Sequence, residues 1–600
     1  MQDLQILTGK KWLNWLIIVS GSFLISFLCY IIFSHGMGNI DINLYQPDLF
    51  GIEYNELVDS ARTAINGVSN ALVISVSVFV YLSLLVLTIF LLVKKKMNFK
   101  YAFILLFAAA IMLRVLYVNV TDNIFTRQHD VWSSSYYGHY GIVMNLFESG
   151  KLPALRNGSL VDSYQMYHPK LAHYMFYFAM KFNSLFLGKD NPSIELYESV
   201  RILTCFMSIL MIFMAYEIFK ELFKSKTAVL ISTTFVIFSP VFIRLSAMSN
   251  NDSVLYFFLF ASVLFAIRFY KRGKWYDLLV LAIAIGSAMA AKLSGALIAI
   301  PVGIMMVYKL VMDVKNAEKG KRLSMFLSYV IQYLAFLIVC APIGLYWPIY
   351  NFKNYNQPIT YYFNNLNSAL KITDNFTYAD RYLKFSFKNI FASMYEQLWN
   401  TNENVLLDGN LWASTFKSSL FGEFSYTGAA VLFSALIYAM GLIFVAAAVA
   451  YYFYLIIKGI KDKNYAYPTL LGLFMVVIFA FIFIASPINY HMVIGVFIAA
   501  IAFFLIVYMF VKREQFSDKL ATIFMMMIAG VFILFFINFN ITSPYTCTQD
   551  FRYLALIIIP GGYAIGQIIE KKEENKTILT SVATLVGVYS LLSLLLYSTL

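Results

Sequence analysis

The sequence predicts an all-α polytopic membrane protein with about 13–15 transmembrane helices, joined by outer-face loops and interfacial helices. Hydrophobic residues make up 60% of the 600 residues, and charged residues make up only 13%. Soluble domains are about 45–50% apolar and about 25% charged, so this much apolar surface requires a lipid environment. The charged residues also fall in short breaks between long apolar stretches, which is typical of chains that cross a membrane repeatedly.

Apolar stretches of spanning length occur about fifteen times, since a helix needs roughly 20 residues to cross a bilayer. They lie near residues 12–33, 71–93, 101–119, 197–219, 227–247, 253–270, 277–294, 295–313, 325–349, 428–457, 466–486, 491–511, 520–541, 553–570 and 577–599. Two pairs are separated by very short breaks, so about thirteen spans is the alternative count. The first stretch is too long for a signal-peptide core and lacks a small-residue cleavage pattern, so we expect an uncleaved first helix.

Lysine and arginine residues predict the orientation of the chain. Every second break is basic, beginning with Lys94–Lys96, whereas short breaks such as Ser249–Ser253 and Ser486–His491 contain neither residue. Because cytoplasmic loops carry the excess of lysine and arginine, we expect the N-terminus in the cytoplasm and the C-terminus outside. Three long segments then lie on the outer face of the cell membrane: 34–70, 120–196 and 350–427.

The predicted topology divides the chain into four parts. These are two additional N-terminal helices with an outer loop (1–100), a core with its first outer loop at 120–196 (101–349), a large outer loop (350–427) and C-terminal transmembrane helices (428–600). Within the first outer loop of the core, the apolar segment 166–187 cannot span without inverting every later helix. We therefore expect an interfacial helix there.

Charge and cysteine content exclude two classes of protein. The net charge of +13 is spread over the breaks between apolar stretches, which argues against a nucleic-acid partner. The four cysteines are scattered and form no CxxC pair, so the sequence predicts no disulfide framework. They are Cys29, Cys205, Cys340 and Cys547.

The first outer loop of the core contains the candidate general base, Asp130, which follows His129. A carboxylate near the membrane surface can remove the proton from an incoming hydroxyl group. General base catalysis of this kind accelerates a reaction roughly 10²–10⁴-fold. The alternative is a solvated loop aspartate. Four of the six histidines fall in this loop, namely His129, His139, His168 and His173.

The clustered histidines favour hydrogen bonding to a sugar or phosphate. A divalent metal is the alternative, but the spacing matches no tight zinc motif, so we expect neither a metal nor another cofactor. Lys170 lies at the start of the expected interfacial helix, two residues after His168.

Five cations lie near the predicted outer ends of helices, against the positive-inside bias. They are Arg114, Arg201, Arg244, Lys292 and Arg552. A single cation of this kind can extend toward the lipid headgroups. Five together predict a pocket for an anionic group, and phosphate suits arginine as a bidentate donor and lysine as a point charge.

A second acidic residue, Asp252, lies in the very short break Ser249–Ser253. Because it begins the next helix, it is a candidate N-cap. The alternative is a carboxylate that orders a substrate or a catalytic partner.

These motifs resemble those of the GT-C membrane glycosyltransferases, in particular the protein O-mannosyltransferase and aminoarabinose lipid A transferase group (glycosyltransferase family 39-like). The resemblance covers roughly residues 101–570 and follows the order of the motifs. These are Leu113-Arg114, His129-Asp130, His168-Pro169-Lys170-Leu171, Asp252, Ala291-Lys292-Leu293-Ser294-Gly295 and Asp550-Phe551-Arg552-Tyr553. The chain departs from the group where Val131 replaces the glutamate of an Asp-Glu pair and Lys170 replaces a second proline.

The resemblance implies a GT-C fold and inverting transfer of a sugar from a polyprenyl-phosphate donor to an acceptor hydroxyl on the outer face. It implies catalytic roles for Asp130 and Asp252 and donor-phosphate binding by Lys292, Arg552 and Arg114. It also implies substrate binding by His129, His139, His168, Lys170 and Tyr553. The composition is typical of an AT-rich bacterial genome and favours undecaprenyl phosphate as the lipid.

The residues leave the acceptor open among a glycan, a glycolipid and a protein, and they leave the sugar open. The alternative functions are a transporter or flippase of lipid-linked sugars and a GT-C enzyme with a pyrophosphate-linked donor. A third alternative is a non-catalytic membrane scaffold. A transporter would place ionisable residues at the membrane midplane, whereas here they lie at helix ends.

Overall fold

The computed structural model describes most of the predicted helical core. The described residues are 18–25, 68–120, 139–152, 167–187, 196–197, 199–357, 372, 376–383, 410–422, 429–461, 520–572 and 574–598. Within these ranges all regular structure is helical, and eight helices are long and apolar enough to cross a membrane, or nine if one bent pair counts as a span. The predicted class, an all-α polytopic membrane protein, is confirmed.

Seventeen labelled α-helices make up the described part of the chain after residue 67. They are α1 (Val68–Val93), α2 (Phe99–Val120), α3 (His139–Ser149), α4 (Leu171–Leu187), α5 (Arg201–Leu222), α6 (Lys226–Ile237), α7 (Pro240–Arg244), α8 (Asn251–Arg272), α9 (Trp275–Ala291), α10 (Ala299–Asn316), α11 (Arg322–Tyr355), α12 (Tyr378–Tyr382), α13 (Leu411–Phe421), α14 (Ala429–Lys461), α15 (Leu520–Thr542), α16 (Ile558–Lys571) and α17 (Lys576–Ser598). Short 3₁₀ helices link several of them, at Leu245–Ala247, Leu293–Ile298, Lys319–Lys321, Thr546–Gln549, Phe551–Tyr553 and Ala555–Ile557.

Two predicted spans are broken rather than continuous. The predicted span 227–247 divides into α6 and α7, which are bent by 60°. The break precedes Pro240, and Ser239 is extended because proline disfavours the helical conformation of the residue before it. The predicted span 553–570 begins with 3₁₀ turns and becomes α-helical only at Ile558. The predicted spans 466–486 and 491–511, and most of 12–33, lie outside the described residues.

The centre of the bundle is built around α8. This helix packs against α5 and α9, and α9 packs in turn against α11. Most of the α8 side chains are buried, whereas few of the α11 side chains are buried. A helix that is buried on nearly all sides belongs to the protein interior, and one with an apolar exposed face suits contact with lipid.

Helices α6 and α16 approach closely through glycines. A Cβ atom at Gly566 would lie 2.3 Å from the Ser232 side-chain oxygen and 2.4 Å from the Phe223 ring. A Cβ atom at Gly562 would lie 2.9 Å from the Phe219 ring. The pair forms a Gly-x-x-x-Gly pattern, which lets helix backbones pack closely in a membrane.

The two ends of α8 carry different charged groups. Asp252 lies at its start, and Arg268, near its end, contacts Glu217 at 2.5 Å and Glu221 at 3.5 Å. Arg268 follows Asp252 by sixteen positions, which correspond to about 24 Å along the helix, close to the hydrocarbon thickness of a bilayer. The end of the bundle at Asp252 is called the Asp252 end, and the end at Arg268 is called the basic end.

Candidate active site

The turn before α8 leaves the Asp252 carboxylate available for other groups. The Asn250 side chain is the N-cap and accepts a hydrogen bond from the Ser253 amide at 3.3 Å. The Ser253 hydroxyl donates to the Met248 carbonyl at 2.6 Å, which closes the turn. Asp252 is therefore not the N-cap, which was one of the two alternatives drawn from the sequence.

Lys292 lies at an abrupt break between α9 and the 3₁₀ helix Leu293–Ile298. Its backbone is extended, with φ −155° and ψ 134°. Three residues later, a Cβ atom at Gly295 would lie only 2.4 Å from the Ala288 carbonyl carbon. Because only glycine fits there, the chain turns sharply back against α9 and the Lys292 side chain reaches Asp252 on the neighbouring helix α8.

Arg552 is held in the 3₁₀ helix Phe551–Tyr553 by the residue two positions before it. Asp550 accepts a hydrogen bond from the Arg552 amide at 2.8 Å, and its second oxygen lies 3.8 Å from Arg552 Nε. The Tyr256 hydroxyl on α8 donates to the Arg552 carbonyl. These contacts tie the segment between α15 and α16 to the start of α8.

Asp252, Lys292 and Arg552 meet in one buried group, which we call the Asp252 clamp. Lys292 Nζ lies 2.7 Å from Asp252 Oδ1, and Arg552 Nη1 lies 3.2 Å from Asp252 Oδ2. Their side chains are 7%, 4% and 1% exposed for Lys292, Arg552 and Asp252. The Tyr553 ring lies beside both cations, 4.3 Å from Lys292 Nζ and 5.3 Å from the Arg552 guanidinium carbon.

The clamp contains two cations and one anion, so its net charge is +1. Desolvating charges is costly, and one carboxylate neutralises only one of the two cations. An anion with several oxygen atoms, such as a phosphate, can contact both cations at once. The clamp is therefore suited to bind an anionic group.

Helix α13 contacts the segment that carries Arg552. The Ser418 hydroxyl accepts a hydrogen bond from the Phe551 amide at 2.8 Å, and the Thr415 hydroxyl donates to the Gln549 carbonyl at 3.2 Å. The sequence predicts only a large outer loop at 350–427 and does not indicate a helix in contact with the clamp. Two hydroxyl residues in a short helix carry no signal that predicts such a distant partner.

A second polar group lies where α3 meets α4. His139 Nδ1 and His173 Nε2 are 3.0 Å apart, and both side chains are buried. The ring of His168 is parallel to that of His139 within 16°, at a centroid distance of 6.5 Å. Lys170 is also buried, and its Nζ lies 5.3 Å from the centre of the Trp347 ring.

Burial lowers the pKa of two residues in this second group, Lys170 and His173. It lowers the pKa of the Lys170 ammonium well below its ordinary value. The pKa of His173 is also well below its ordinary value, chiefly because of burial and then because of the charges of Lys170, His139 and His168. Since α4 packs against α8 and α9, the structure brings these basic residues to the helices that meet at the clamp.

Arg114, predicted to bind the donor phosphate, takes part in helix packing. Its Nε donates to the Ser208 hydroxyl at 2.8 Å, and its two terminal nitrogens donate to the Ala110 and Ile237 carbonyls, each at 2.9 Å. These bonds connect α2 with α5 and α6. Arg114 therefore takes part in helix packing. Its predicted contact with the donor phosphate stays a prediction, because each terminal nitrogen has a second N–H group.

His129 and Asp130 lie outside the described residues, so their roles stay predictions. In the part of the chain that the structure describes, no group of three or more histidine, cysteine, aspartate or glutamate side chains is arranged to hold a metal ion. The expectation that the protein needs no metal likewise stays a prediction.

Comparison with known proteins is consistent with this arrangement. Residues 160–356 match the family model described as dolichyl-phosphate-mannose-protein mannosyltransferase. The matched segment contains His168, Lys170, Asp252 and Lys292. This family belongs to the group that the sequence motifs resemble, so the predicted resemblance is confirmed over these residues.

Two solved structures are similar to the chain. The first is the Archaeoglobus fulgidus oligosaccharyltransferase in complex with Zn and sulfate, with 13% identity and a TM-score of 0.38, covering 82% of this chain and 53% of that one. The second is ArnT from Cupriavidus metallidurans bound to undecaprenyl phosphate, with 12% identity, a TM-score of 0.30 and 77% coverage of both chains. The chain thus spans about half the length of the archaeal protein. A comparison with curated proteins found no match.

Proposed function

We propose that the protein transfers a sugar from a polyprenyl-phosphate donor, such as undecaprenyl phosphate, to an acceptor hydroxyl on the outer face of the membrane. The observation that carries this proposal is the Asp252 clamp, in which Lys292 and Arg552 share one carboxylate. The donor phosphate binds both cations. Asp252 keeps the two cations together before the donor arrives.

The charge of the clamp favours a donor with a single phosphate. A phosphodiester between a polyprenol and a sugar carries one negative charge, which balances the net charge of +1. A pyrophosphate-linked donor carries two negative charges and would leave the buried site with an excess of negative charge. The family model matched by residues 160–356 is itself named for a polyprenyl-phosphate sugar, dolichyl phosphate mannose.

The reaction forms a bond between the acceptor oxygen and the anomeric carbon of the sugar and breaks the bond from that carbon to the phosphate oxygen. The electron pair of the broken bond goes to the phosphate, so negative charge develops beside Lys292 and Arg552. Preorganised charge of this kind often makes the largest contribution to the rate of an enzymatic reaction. Loss of one such hydrogen-bond donor lowers the rate roughly 10²–10³-fold. Asp130 takes the proton of the acceptor hydroxyl, and attack opposite the phosphate inverts the anomeric carbon.

The remaining predicted residues contribute to binding in this proposal. His139, His168 and Lys170 bind the sugar and the acceptor, and the resemblance assigns the same role to His129. Tyr553 supports both cations of the clamp through its ring. The outer-face location rests on the alternation of basic breaks along the sequence.

The test is release of polyprenyl phosphate from a panel of radiolabelled polyprenyl-phosphate monosaccharides by the purified protein. Asp130→Asn is expected to abolish release, and Lys292→Ala to lower it by roughly 10²–10³. Lys309→Ala is the matched control, because Lys309 is also a buried lysine paired with a carboxylate, Asp313, at 3.1 Å, but at the basic end. Parallel reactions with EDTA test for a metal.

Release from one donor by the wild-type protein and the Lys309 variant, and not by the Asp130 variant, would support the proposal and name the sugar. An active Asp130→Asn variant would remove Asp130 from the role of base. No release from any donor by folded protein, with acceptor extracts added, would instead favour a transporter of lipid-linked sugars. That function would then be measured in liposomes.

A further inference from the structure

The Asp252 clamp continues into a longer row of buried charges of alternating sign. The row runs from Lys292 through Asp252, Arg552 and Asp550 to Arg244, and four elements contribute to it. The signs along it are positive, negative, positive, negative and positive. The function proposed above uses only the first three residues and leaves Asp550 and Arg244 without a role.

Asp550 is completely buried and contacts Arg552 twice. One carboxylate oxygen accepts from the Arg552 amide at 2.8 Å, and the other lies 3.8 Å from the side-chain Nε. Burial raises the pKa of Asp550, while the charges of Arg552 and Arg244 lower it. Asp252 and Tyr256 on α8 are the other titratable groups near this carboxylate.

Arg244 lies at the end of α7 and is 2% exposed. One terminal nitrogen donates to the Ser418 carbonyl on α13, the helix that also carries Lys417. Nε and the other terminal nitrogen have no hydrogen-bond partner among the described residues. Ser418 joins Arg244 to the segment after Asp550, because its hydroxyl accepts a hydrogen bond from the Phe551 amide at 2.8 Å. A guanidinium buried this deeply needs an anion nearby, and the charge of Arg244 acts on Asp550.

We propose that Asp550 and Arg244 are positioning residues that hold the Arg552 guanidinium in the orientation that binds the donor phosphate. The inference rests on the proposed function. Arginine has a long side chain with many rotamers, and it binds a phosphate in a fork-like geometry only when its plane is fixed. Asp550 holds the backbone amide and the Nε atom of Arg552. The Nη1 atom of Arg552 then points to Asp252. The positive charge of Arg244 favours the ionised form of Asp550.

The first test is a double-mutant cycle on binding of polyprenyl phosphate by the full chain in nanodiscs. Asp550→Asn alone is expected to weaken binding about tenfold, a coupling typical of residues in one charge network. In an Arg552→Gln background, the same Asp550→Asn change is expected to have no further effect, because Asp550 acts through Arg552. Asp313→Asn, at the basic end, is the control for removal of a carboxylate. Equal losses from Asp550→Asn in both backgrounds would overturn the proposal.

The second test uses the pH dependence of the same binding, expressed as the ratio of variant to wild-type affinity at each pH. The ratio cancels the titration of the ligand phosphate itself. The measurements cover the range from about pH 6 to about pH 9. Arg244→Met raises the pKa of Asp550 further, so the loss of affinity in this variant is expected to shrink as the pH rises. Arg244→Lys, which keeps the charge, is expected to restore most of the affinity.

The outcomes separate this inference from the proposed function. A constant Arg244→Met deficit across this pH range, or an Arg244→Lys variant as weak as Arg244→Met, would overturn the positioning role while leaving the function intact. If the wild-type protein does not bind polyprenyl phosphate at all, the proposed function fails and the inference fails with it. Thermal unfolding of each variant, measured beside the binding, identifies any loss that is due to misfolding.

Discussion

At the scale of single residues, Asp252 is the centre of the candidate site. Its carboxylate lies between Lys292 and Arg552, which come from parts of the chain 40 and 300 residues away. A buried carboxylate between two cations stabilises the fold and also occupies the place that a phosphate would take. These two effects can be measured separately.

Asp252→Asn is expected to destabilise the free protein, because it leaves two buried cations without their shared anion. Breaking a buried ion pair costs about 3–5 kcal/mol. Added polyprenyl phosphate is expected to raise the melting temperature of the variant more than that of the wild-type protein, because the ligand replaces the lost charge. The measurement is thermal unfolding with and without polyprenyl phosphate, with Asp313→Asn as the control. Equal ligand-induced shifts in the variant and the wild type would contradict a phosphate in the clamp.

At the scale of elements, close contacts between helices position the site. The His139–His173 contact joins α3 to α4, and the glycines of α16 allow it to lie against α6. Neither contact could be predicted as a pair from the sequence. Each has a specific consequence for stability.

The His173 side chain is expected to make stability depend on pH. Because its pKa in the folded protein lies well below the ordinary value, the unfolded chain binds a proton that the folded protein does not. Stability therefore falls as pH drops below about 6.5, by at most about 1.4 kcal/mol per pH unit for one proton. The melting temperature between about pH 5 and pH 8 tests this, and His173→Gln should flatten the curve. An unchanged slope in His173→Gln would show that other groups cause the pH dependence.

Gly566→Ala is expected to destabilise the contact between α6 and α16. Its Cβ atom would lie 2.3 Å from the Ser232 oxygen, and overpacking of this kind costs about 1–3 kcal/mol. Gly561→Ala is the matched control on the same helix, because its Cβ atom would meet only the Phe235 ring, at an ordinary 3.5 Å. Thermal unfolding of the two variants should differ clearly. Similar melting temperatures of the two variants would show that α6 and α16 can move apart without a loss of stability.

At the scale of the whole molecule, the charges divide between the two ends of the bundle. The Asp252 clamp lies at one end, and the Glu217 and Arg268 contacts lie at the other. Helix α11 is 34 residues long, or about 51 Å, and so extends beyond the hydrocarbon core. Its two ends therefore lie on opposite sides of the membrane.

Cysteine labelling of the two ends of α11 tests the predicted orientation. In a variant without native cysteines, Asn354→Cys is expected to react with a membrane-impermeant maleimide on intact cells. Gly320→Cys, just before the other end, is expected to react only after permeabilisation, because its loop contains the basic residues Lys319 and Lys321. Both positions are exposed in the structure. The reverse pattern would place the Asp252 end in the cytoplasm and contradict the outer-face proposal.

The sequence by itself determined the helical membrane class, most of the span positions and the candidate residues Asp252, Lys292 and Arg552. These follow from local patterns, because apolar length and the position of a charge along a helix depend only on neighbouring residues. It also predicted a short break between the spans 277–294 and 295–313, close to where α9 ends and a 3₁₀ helix begins.

Only the tertiary structure decided which of these residues meet. It placed Asp252 between two cations, assigned Arg114 to helix packing and brought α13 and Arg244 to the segment around Asp550. It also broke two of the predicted spans. The physical reason is that the partner of a buried charge is chosen by the packing of distant helices, and hydropathy along the chain carries no information about that packing.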